Sequence, residues 1–297
     1  MTSAAAGGGS RSVFVLGAGR AGRSLARAFV VAGIDVVGVH GRHSDPAATP
    51  RVTAGVFPPS LGSAAVVLVT VRDAQLGDAL RQLSDAALAP GAVVLHASGA
   101  TDPAEAAFLR ARGHAVGTLH PLVPLASPDR AATLLRDAWI GVDGDARAIA
   151  AAQALASRIG AHTLTIPPGE KPRYHAAAVF AANFPVVVAA LAERLLVEAG
   201  VLESEARAAT LGLMNAAVSN LETGRPHDVL TGPIARGDVG SVLGHLAALA
   251  NDAPALDAYV TLSRAALTLA HERGTSAERL AEISAALDEA YRPPSAF

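Results

Sequence analysis

The chain has 297 residues, 51% of them hydrophobic, with a formal net charge of -2 and no cysteine. That length suggests about two domains, and that hydrophobic share excludes a disordered chain. The missing cysteines exclude disulfides, thiolate zinc sites, Cys-ligated iron–sulfur clusters and a cysteine nucleophile, and without a run of Lys or Arg nothing asks for nucleic acid or an anionic membrane.

Residues 1–10 are small and polar, lack the apolar stretch of a secretory signal, and read as a flexible leader. From there short β-branched runs alternate with Ala/Leu-rich windows. Strands are predicted at Val13–Leu16, Asp35–Val39, Ala65–Val71, Ala92–His96, Ala115–Leu119, Trp139–Val142 and His162–Ile166. Helices are predicted at Arg20–Ala32, Ala74–Leu83, Pro103–Arg112 and Ala146–Ile159. Such alternation predicts an α/β fold with a doubly wound parallel sheet.

Pro167, Pro168 and Gly169 then break the pattern, and no convincing strand follows. One long helix is predicted from Pro172 to about Gly200, about 42 Å at 1.5 Å per residue. Pro172 suits its first turn, Pro185 should kink it, and Gly200 suits its cap. Further helices are predicted at Ser204–Asn220, Asp238–Ala250, Ala253–His271 and Ser276–Ala290. The expected organisation is a leader at 1–10, an α/β domain at 11–168 and an all-α domain at 169–297. The apolar stretch Ala176–Leu191 carries Asn183 and Pro185 and reads as too short for a membrane span, so a soluble, cytoplasmic protein is expected.

Gly17-Ala18-Gly19-Arg20-Ala21-Gly22 is the first motif with chemistry. A G-x-G-x-x-G run is weak alone, but this one follows an apolar strand and opens an amphipathic helix, as the Rossmann dinucleotide site requires. Gly17 allows the tight turn, Gly19 lets backbone approach a pyrophosphate, and Gly22 lets helix pack on strand. The helix N-terminus offers free N–H groups to the phosphates. An NAD site places an acid about 20 residues further on; here the strand ends His40-Gly41-Arg42-His43-Ser44, with no acid. Arg42 is placed to grip the 2′-phosphate of NADP(H), with His43 and Ser44 as further donors, and its plain alternative is a solvated loop charge. Two loop histidines, His40 and His43, without a nearby carboxylate do not make a metal site.

Ligands in this fold sit beyond the carboxyl ends of strands. Val71-Arg72-Asp73 and His96-Ala97-Ser98-Gly99-Ala100 stand at two of them, with Val71, Arg72, Ser98 and Gly99 as candidate cofactor contacts. Asp73 reads first as a helix cap, and Thr101 or Asp102 caps the helix at Pro103. His120, at a third strand end, fits either a substrate pocket or a hydrogen-bonded turn. Lys171, Tyr174 and His175 crowd the start of the long helix. His175 and Asn183 are eight residues apart, roughly 80° around a helix, so both can face one cleft. A buried Asn183 would need a partner, because an unpaired amide costs about 1–3 kcal/mol. Further on, Leu230–Asp238 reads as an ordered loop in which Arg236 either clamps a substrate carboxylate or pairs with Asp238, a plausible N-cap.

These segments carry a family resemblance. The glycine motif, Val71-Arg72-Asp73, His96–Ala100, Leu119-His120-Pro121, Tyr174-His175-Ala176-Ala177 with Asn183, and Leu230–Asp238 resemble the Rossmann-like/DUF2520 proteins. That group lies within the 6-phosphogluconate dehydrogenase-like C-terminal-domain superfamily, and the likeness runs from about Ser12 to Ala290. It implies a nicotinamide-dependent oxidoreductase, a homodimer through the helical domain, and His175, Asn183 and Arg236 as site residues. The His-Pro turn looks like that of prephenate dehydrogenases, and the layout is similar to ketopantoate reductase and pyrroline-5-carboxylate reductase. The Lys-x-x-x-Asn helix signature of β-hydroxyacid dehydrogenases is absent, since Lys171 and Asn183 stand twelve apart.

The resulting expectation is hydride transfer from NADPH to a small 2-oxo acid of the ketopantoate kind, or to a related imine. His175 is the first candidate proton donor, because imidazole titrates near 6.5, and Lys171 is the second. Asn183 would position the carbonyl or the nicotinamide. His120 and Thr231 would line the substrate, and Arg236 would hold its carboxylate. The alternatives are a prephenate-like or amino-acid-derived substrate, a non-catalytic NADP(H)-binding regulator, and a structural dimer with a degenerate nucleotide site.

Overall fold

A computed structural model of the chain describes residues 12–291 apart from Ala126. The leader expected at 1–10 lies outside the described residues. The chain divides into two compact units, Met1–Phe184 and Pro185–Phe297. The last strand ends at Thr165, and the helix that follows it, Lys171–Ala182, belongs to the first unit.

The first unit holds an eight-stranded sheet: β1 Val13–Leu16, β2 Val36–His40, β3 Val52–Thr53, β4 Val66–Val69, β5 Val93–His96, β6 Ala115–Pro121, β7 Trp139–Gly144 and β8 His162–Thr165. Their order across the sheet is β3-β2-β1-β4-β5-β6-β7-β8. Its helices are α1 Arg20–Val31, α2 Asp73–Asp85, α3 Ala107–Arg110, α4 Ala131–Leu135, α5 Ala146–Arg158 and α6 Lys171–Ala182.

The central strands are buried at every position, VFVL in β1 and VVLV in β4. Successive side chains point to opposite faces, so Val13, Val15, Val66 and Leu68 join one core with α1 and α5, while Phe14, Leu16, Val67 and Val69 join another with α2. This double burial is why parallel strands read as continuous apolar runs.

The sheet is parallel except between β6 and β7, which pair antiparallel, with His120 opposite Gly141. The expected doubly wound parallel sheet stands, with this one antiparallel pair as its exception. The connection from β6 to β7 carries α4, a helix of five residues. At 1.5 Å per residue α4 covers roughly 8 Å, too little to carry the chain back along a strand about 23 Å long. The thirteen-residue α5 is long enough, and β8 runs parallel to β7. The two-residue edge strand β3 was not predicted, since two residues carry no periodicity.

The second unit contains α7 Phe184–Glu198 from Pro185 onward, then α8 Glu203–Thr223, α9 Pro226–Val229, α10 Pro233–Arg236, α11 Val239–Leu249, α12 Ala253–Glu272 and α13 Ala277–Ala290. Val242, Leu246, Val260, Ile283 and Leu287 form its core. The single long helix expected from Pro172 is two helices, α6 and α7, parted at Asn183. Pro185 stands in the first turn of α7, where it needs no N–H donor, so the break precedes the proline. Lys171–Glu198 taken together is long and apolar enough to cross a membrane by length and composition, contrary to the expectation of a short stretch. Its first turn, however, is tied into the α/β unit through buried Lys171. Leu230–Asp238 folds as the short α10, closed by left-handed Gly237, and Asp238 caps α11 by accepting from the Ser241 N–H at 3.1 Å.

Candidate active site

The turn from β1 to α1 admits only glycine at two of its three motif positions. Gly17 has φ +117°, and a side-chain carbon there would come within 2.7 Å of the Thr70 backbone. The Thr70 hydroxyl donates to the Gly17 carbonyl at 2.8 Å, which fixes the turn to the end of β4. A side chain at Gly22 would collide with the Gly17 carbonyl. Gly19, by contrast, faces open space and caps α1, whose first N–H groups receive no side-chain cap. That arrangement fits a phosphate cradle: free donors, a helix dipole and nothing in the way.

A cleft of about 760 Å³ opens over this turn, within the range of small-molecule and cofactor sites. Gly17, Ala18, Gly19, Arg42, His43, Val71 and Arg72 line it, as the sequence suggests. Arg20, Ala21, Gly22 and Ser44 do not. Gly22 serves instead by letting α1 sit on the turn. Arg42 and His43 are exposed beyond β2, and Arg42 has no ion-pair partner among the described residues. Arg23 was missed by sequence reading. It reaches the Ala18 carbonyl at 3.1 Å and pairs with Asp45 at 2.8 Å, bracing the turn. Asp45 is the first acid after β2, so this pair also occupies the nearest carboxylate. His40 is buried, bonded to Thr53 at 2.9 Å and packed by Phe57, and no metal-ligating cluster occurs among the described residues.

A second cluster forms further along the sheet, from the loop after β5, the end of β6, Asp143 of β7 and the first turns of α6. Ser98 Oγ accepts from the N–H groups of Ala100 and Thr101 and folds the loop after β5. Lys171 Nζ donates to the Ser98 carbonyl at 2.8 Å and stands 3.9 Å from Asp143. Gly99 is needed because a side-chain carbon would lie 2.6 Å from His175 Nδ1 and 2.8 Å from His120 Nε2. Tyr174 meets His120 Nδ1 at 2.7 Å, and the His120 and His175 rings stand edge to face at 6.0 Å.

The electrostatics follow from burial. His120 is held down to about 4 by desolvation, then by Lys171 and His175, against a small upward pull from Asp73. His96 behind it falls to about 3 for the same first reason, with Lys171 and His120 adding to it. Both rings are therefore neutral near pH 7. Burial raises the Tyr174 phenol and the Asp143 carboxyl, and lowers Lys171 against the pull of Asp143, Asp102 and Asp73.

Of the predicted residues, Ser98, Gly99, His120, Lys171 and His175 come together. Lys171 is only 1% exposed, so it holds the loop rather than facing the open site, a correction to its role as second proton donor. Asn183 is exposed at the end of α6, so no buried amide awaits a partner. Thr231 and Arg236 lie in the helical unit, both exposed, and among the described residues Arg236 pairs with no acid, Asp238 included. Asp143, the Thr118 hydroxyl that bonds it, and Tyr174's role as His120's partner were missed. Nothing local marks them; they matter because distant strands bring them together.

Two families match by sequence. One described as a Rossmann-like domain covers residues 3–121, and one described as a domain of unknown function, DUF2520, covers residues 138–266. The chain carries a Rossmann-like domain followed by a DUF2520 domain. The glycine turn, Gly99 and His120 belong to the Rossmann-like domain, whereas Asp143, Lys171, Tyr174 and His175 belong to the DUF2520 region. The second cluster is thus assembled from both.

No curated protein matches the chain by sequence. Similar solved structures share its fold. One is described as a "putative NADP oxidoreductase", BF3122 from Bacteroides fragilis, with 21% identity, TM-score 0.69, and coverage of 87% of this chain and 98% of that one. Protein TM1727 from Thermotoga maritima gives 23% identity and TM-score 0.67, covering 88% and 98%. Plasmodium falciparum pyrroline carboxylate reductase with NADP bound gives 10% identity and TM-score 0.58, covering 94% and 96%.

Proposed function

We propose that this chain is an NADP(H)-dependent oxidoreductase that reduces a small 2-oxo acid of the ketopantoate kind, or a related cyclic imine acid. The observation that carries the reading is the placement of two sites along one sheet edge of the α/β unit. The glycine turn with Arg42 lies beyond β1, β2 and β4, and the His120–His175 cluster lies beyond β5 and β6. The names of two structural neighbours support it, one as an NADP oxidoreductase and one as a reductase of pyrroline carboxylate, a cyclic imine with a carboxylate.

The division of labour follows from the residues. The α1 N-terminus and the open Gly19 take the pyrophosphate, and Arg42 with His43 takes the 2′-phosphate. When bound, the nicotinamide cofactor supplies the hydride. The chain supplies the proton and meets the charge that grows on the reacting oxygen or nitrogen. His175 is the proton donor in this reading, since its Nδ1 is buried over Gly99 with no hydrogen-bond partner among the described residues. His120 adds a neutral N–H. Lys171 fixes the Ser98–Gly99 loop beneath both rings. Arg236 and Thr231 hold the substrate carboxylate, and the apolar faces of α7 and α8 join two copies.

The test is NADPH oxidation against a panel of 2-oxo acids and cyclic imines led by ketopantoate and pyrroline carboxylate, with NADH in parallel. Turnover that prefers NADPH is expected. Equal rates with NADH would remove the role of Arg42, and binding of NADPH without turnover of any acid would make the chain a sensor.

A further inference from the structure

His120 closes β6 and packs between Tyr174 and His175 of α6, with Gly99 against its other edge. Its two ring nitrogens therefore have different surroundings. Nδ1 lies 2.7 Å from the Tyr174 hydroxyl. Nε2 points toward Gly99, at the spot where any larger residue would collide with it.

One hydrogen lies between Nδ1 and the phenol oxygen, and its owner is decided by counting donors. Among the described residues the phenol's hydrogen-bond partner is His120 Nδ1, while Gly141, opposite His120 on β7, lies in the strand ladder. If His120 donated from Nδ1, the phenol's own proton would have no acceptor among those residues. If the phenol donates to Nδ1, both that proton and the Nδ1 lone pair are satisfied, and Nε2 carries the ring's hydrogen. We propose that Tyr174 is a positioning residue: its hydroxyl donates to Nδ1 and fixes His120 as the Nε2–H tautomer, a neutral hydrogen-bond donor presented over Gly99.

The charges around the ring agree with a neutral donor. Lys171 and His175 on α6 oppose a positive imidazole, Asp73 on α2 favours it, and His96 on β5 is itself held neutral. Asp143 on β7 and Asp102 act on Lys171 rather than directly on His120. Burial pushes the phenol up, so it keeps the proton it donates. The proposal rests on the reductase reading for what accepts the Nε2–H, the reacting oxygen or nitrogen. It implies that His120 polarises that atom and leaves proton transfer to His175.

The test reads the tautomer directly and needs neither cofactor nor substrate. The full chain, labelled with ¹⁵N-histidine, is followed by long-range ¹H–¹⁵N correlation from about pH 5 to about pH 8, with His120 assigned by its loss in H120Q. The expected result is one Nε2–H pattern, unchanged across the range. In Y174F that pattern is lost and gives way to exchange between the two tautomers. An Nδ1–H pattern or a charged ring in the wild type overturns the proposal, even if Y174F does not fold. An Nε2–H pattern that survives in Y174F overturns it as well. A correct tautomer in a protein that turns over no acid with NADPH sinks the reductase reading and leaves the tautomer standing.

Discussion

In the α/β unit every residue of β1 and β4 is buried, covered on both faces by helices. In the helical unit α7 buries no residue and α8 buries only Ala206 and Thr210. Val186 and Leu213 are 68% and 72% exposed. The two regions are built from similar residues, rich in Ala, Val and Leu, so composition does not explain the difference. Topology does. A parallel sheet cannot form without crossovers, and the crossovers cover it. Long helices can form with their apolar faces uncovered, and apolar surface of that extent marks an interface. The α/β unit buries its strands within one chain, whereas α7 and α8 leave their apolar faces exposed, the faces that our proposal gives to a second copy.

Acid offers the largest expected effect, and it probes the α/β unit. His96 and His120 are held to about 3 and about 4 in the folded chain, below the ordinary 6.5. Between those values the unfolded chain binds more protons than the folded one, so stability is full above about pH 6.5 and falls as pH drops through about 4. The raised carboxyl of Asp143 works in the opposite sense and softens the fall. Urea unfolding should show a loss on the order of a few kcal/mol between pH 7 and pH 4. A shallower dependence is expected in H96Q. A flat profile would mean that the cluster is hydrated and the α/β unit less closed than its core suggests.

The next effect breaks or sharpens the comparison itself. Leu213→Asp places a charge on the exposed face of α8, and Val31→Asp does the same on α1, where Val31 is 69% exposed. If α8 is an interface, the first variant should weaken self-association about 30-fold, roughly 2 kcal/mol, by sedimentation, while the second leaves the mass distribution unchanged. A monomeric wild type, or equal responses from the two variants, would remove the contrast.

The same contrast explains what was legible in the sequence. Val13–Leu16 was predicted to the residue because a strand buried on both faces and followed by G-x-G-x-x-G is a local signal. The break at Asn183 was placed at Pro185 instead, since only packing tells a kink from a new helix start. His120 and His175 were visible as chemistry at element ends. Their link through Tyr174 was not, because 54 residues separate His120 from Tyr174 and an antiparallel β6–β7 pair sets the depth of the site. Lys171 was read as a reactive amine because its residue type suggests one; burial beneath the Ser98 carbonyl gives it a holding role.

The smallest expected effect asks whether the helical unit contributes more than a surface for assembly. Arg236 is exposed and has no carboxylate partner among the described residues, while its neighbour Asp238 is satisfied by Ser241 at 2.6 Å. A cation left free beside a satisfied acid suits a substrate carboxylate. Arg236→Ala should then raise KM for an accepted 2-oxo acid about tenfold, about 1.4 kcal/mol, with kcat little changed, because a clamp on the carboxylate binds ground state and transition state alike. The folded state should not suffer, since the side chain makes no ion pair among the described residues. An unchanged KM would confine substrate recognition to the α/β unit, where His120 and His175 already stand, and would leave the helical unit with assembly alone.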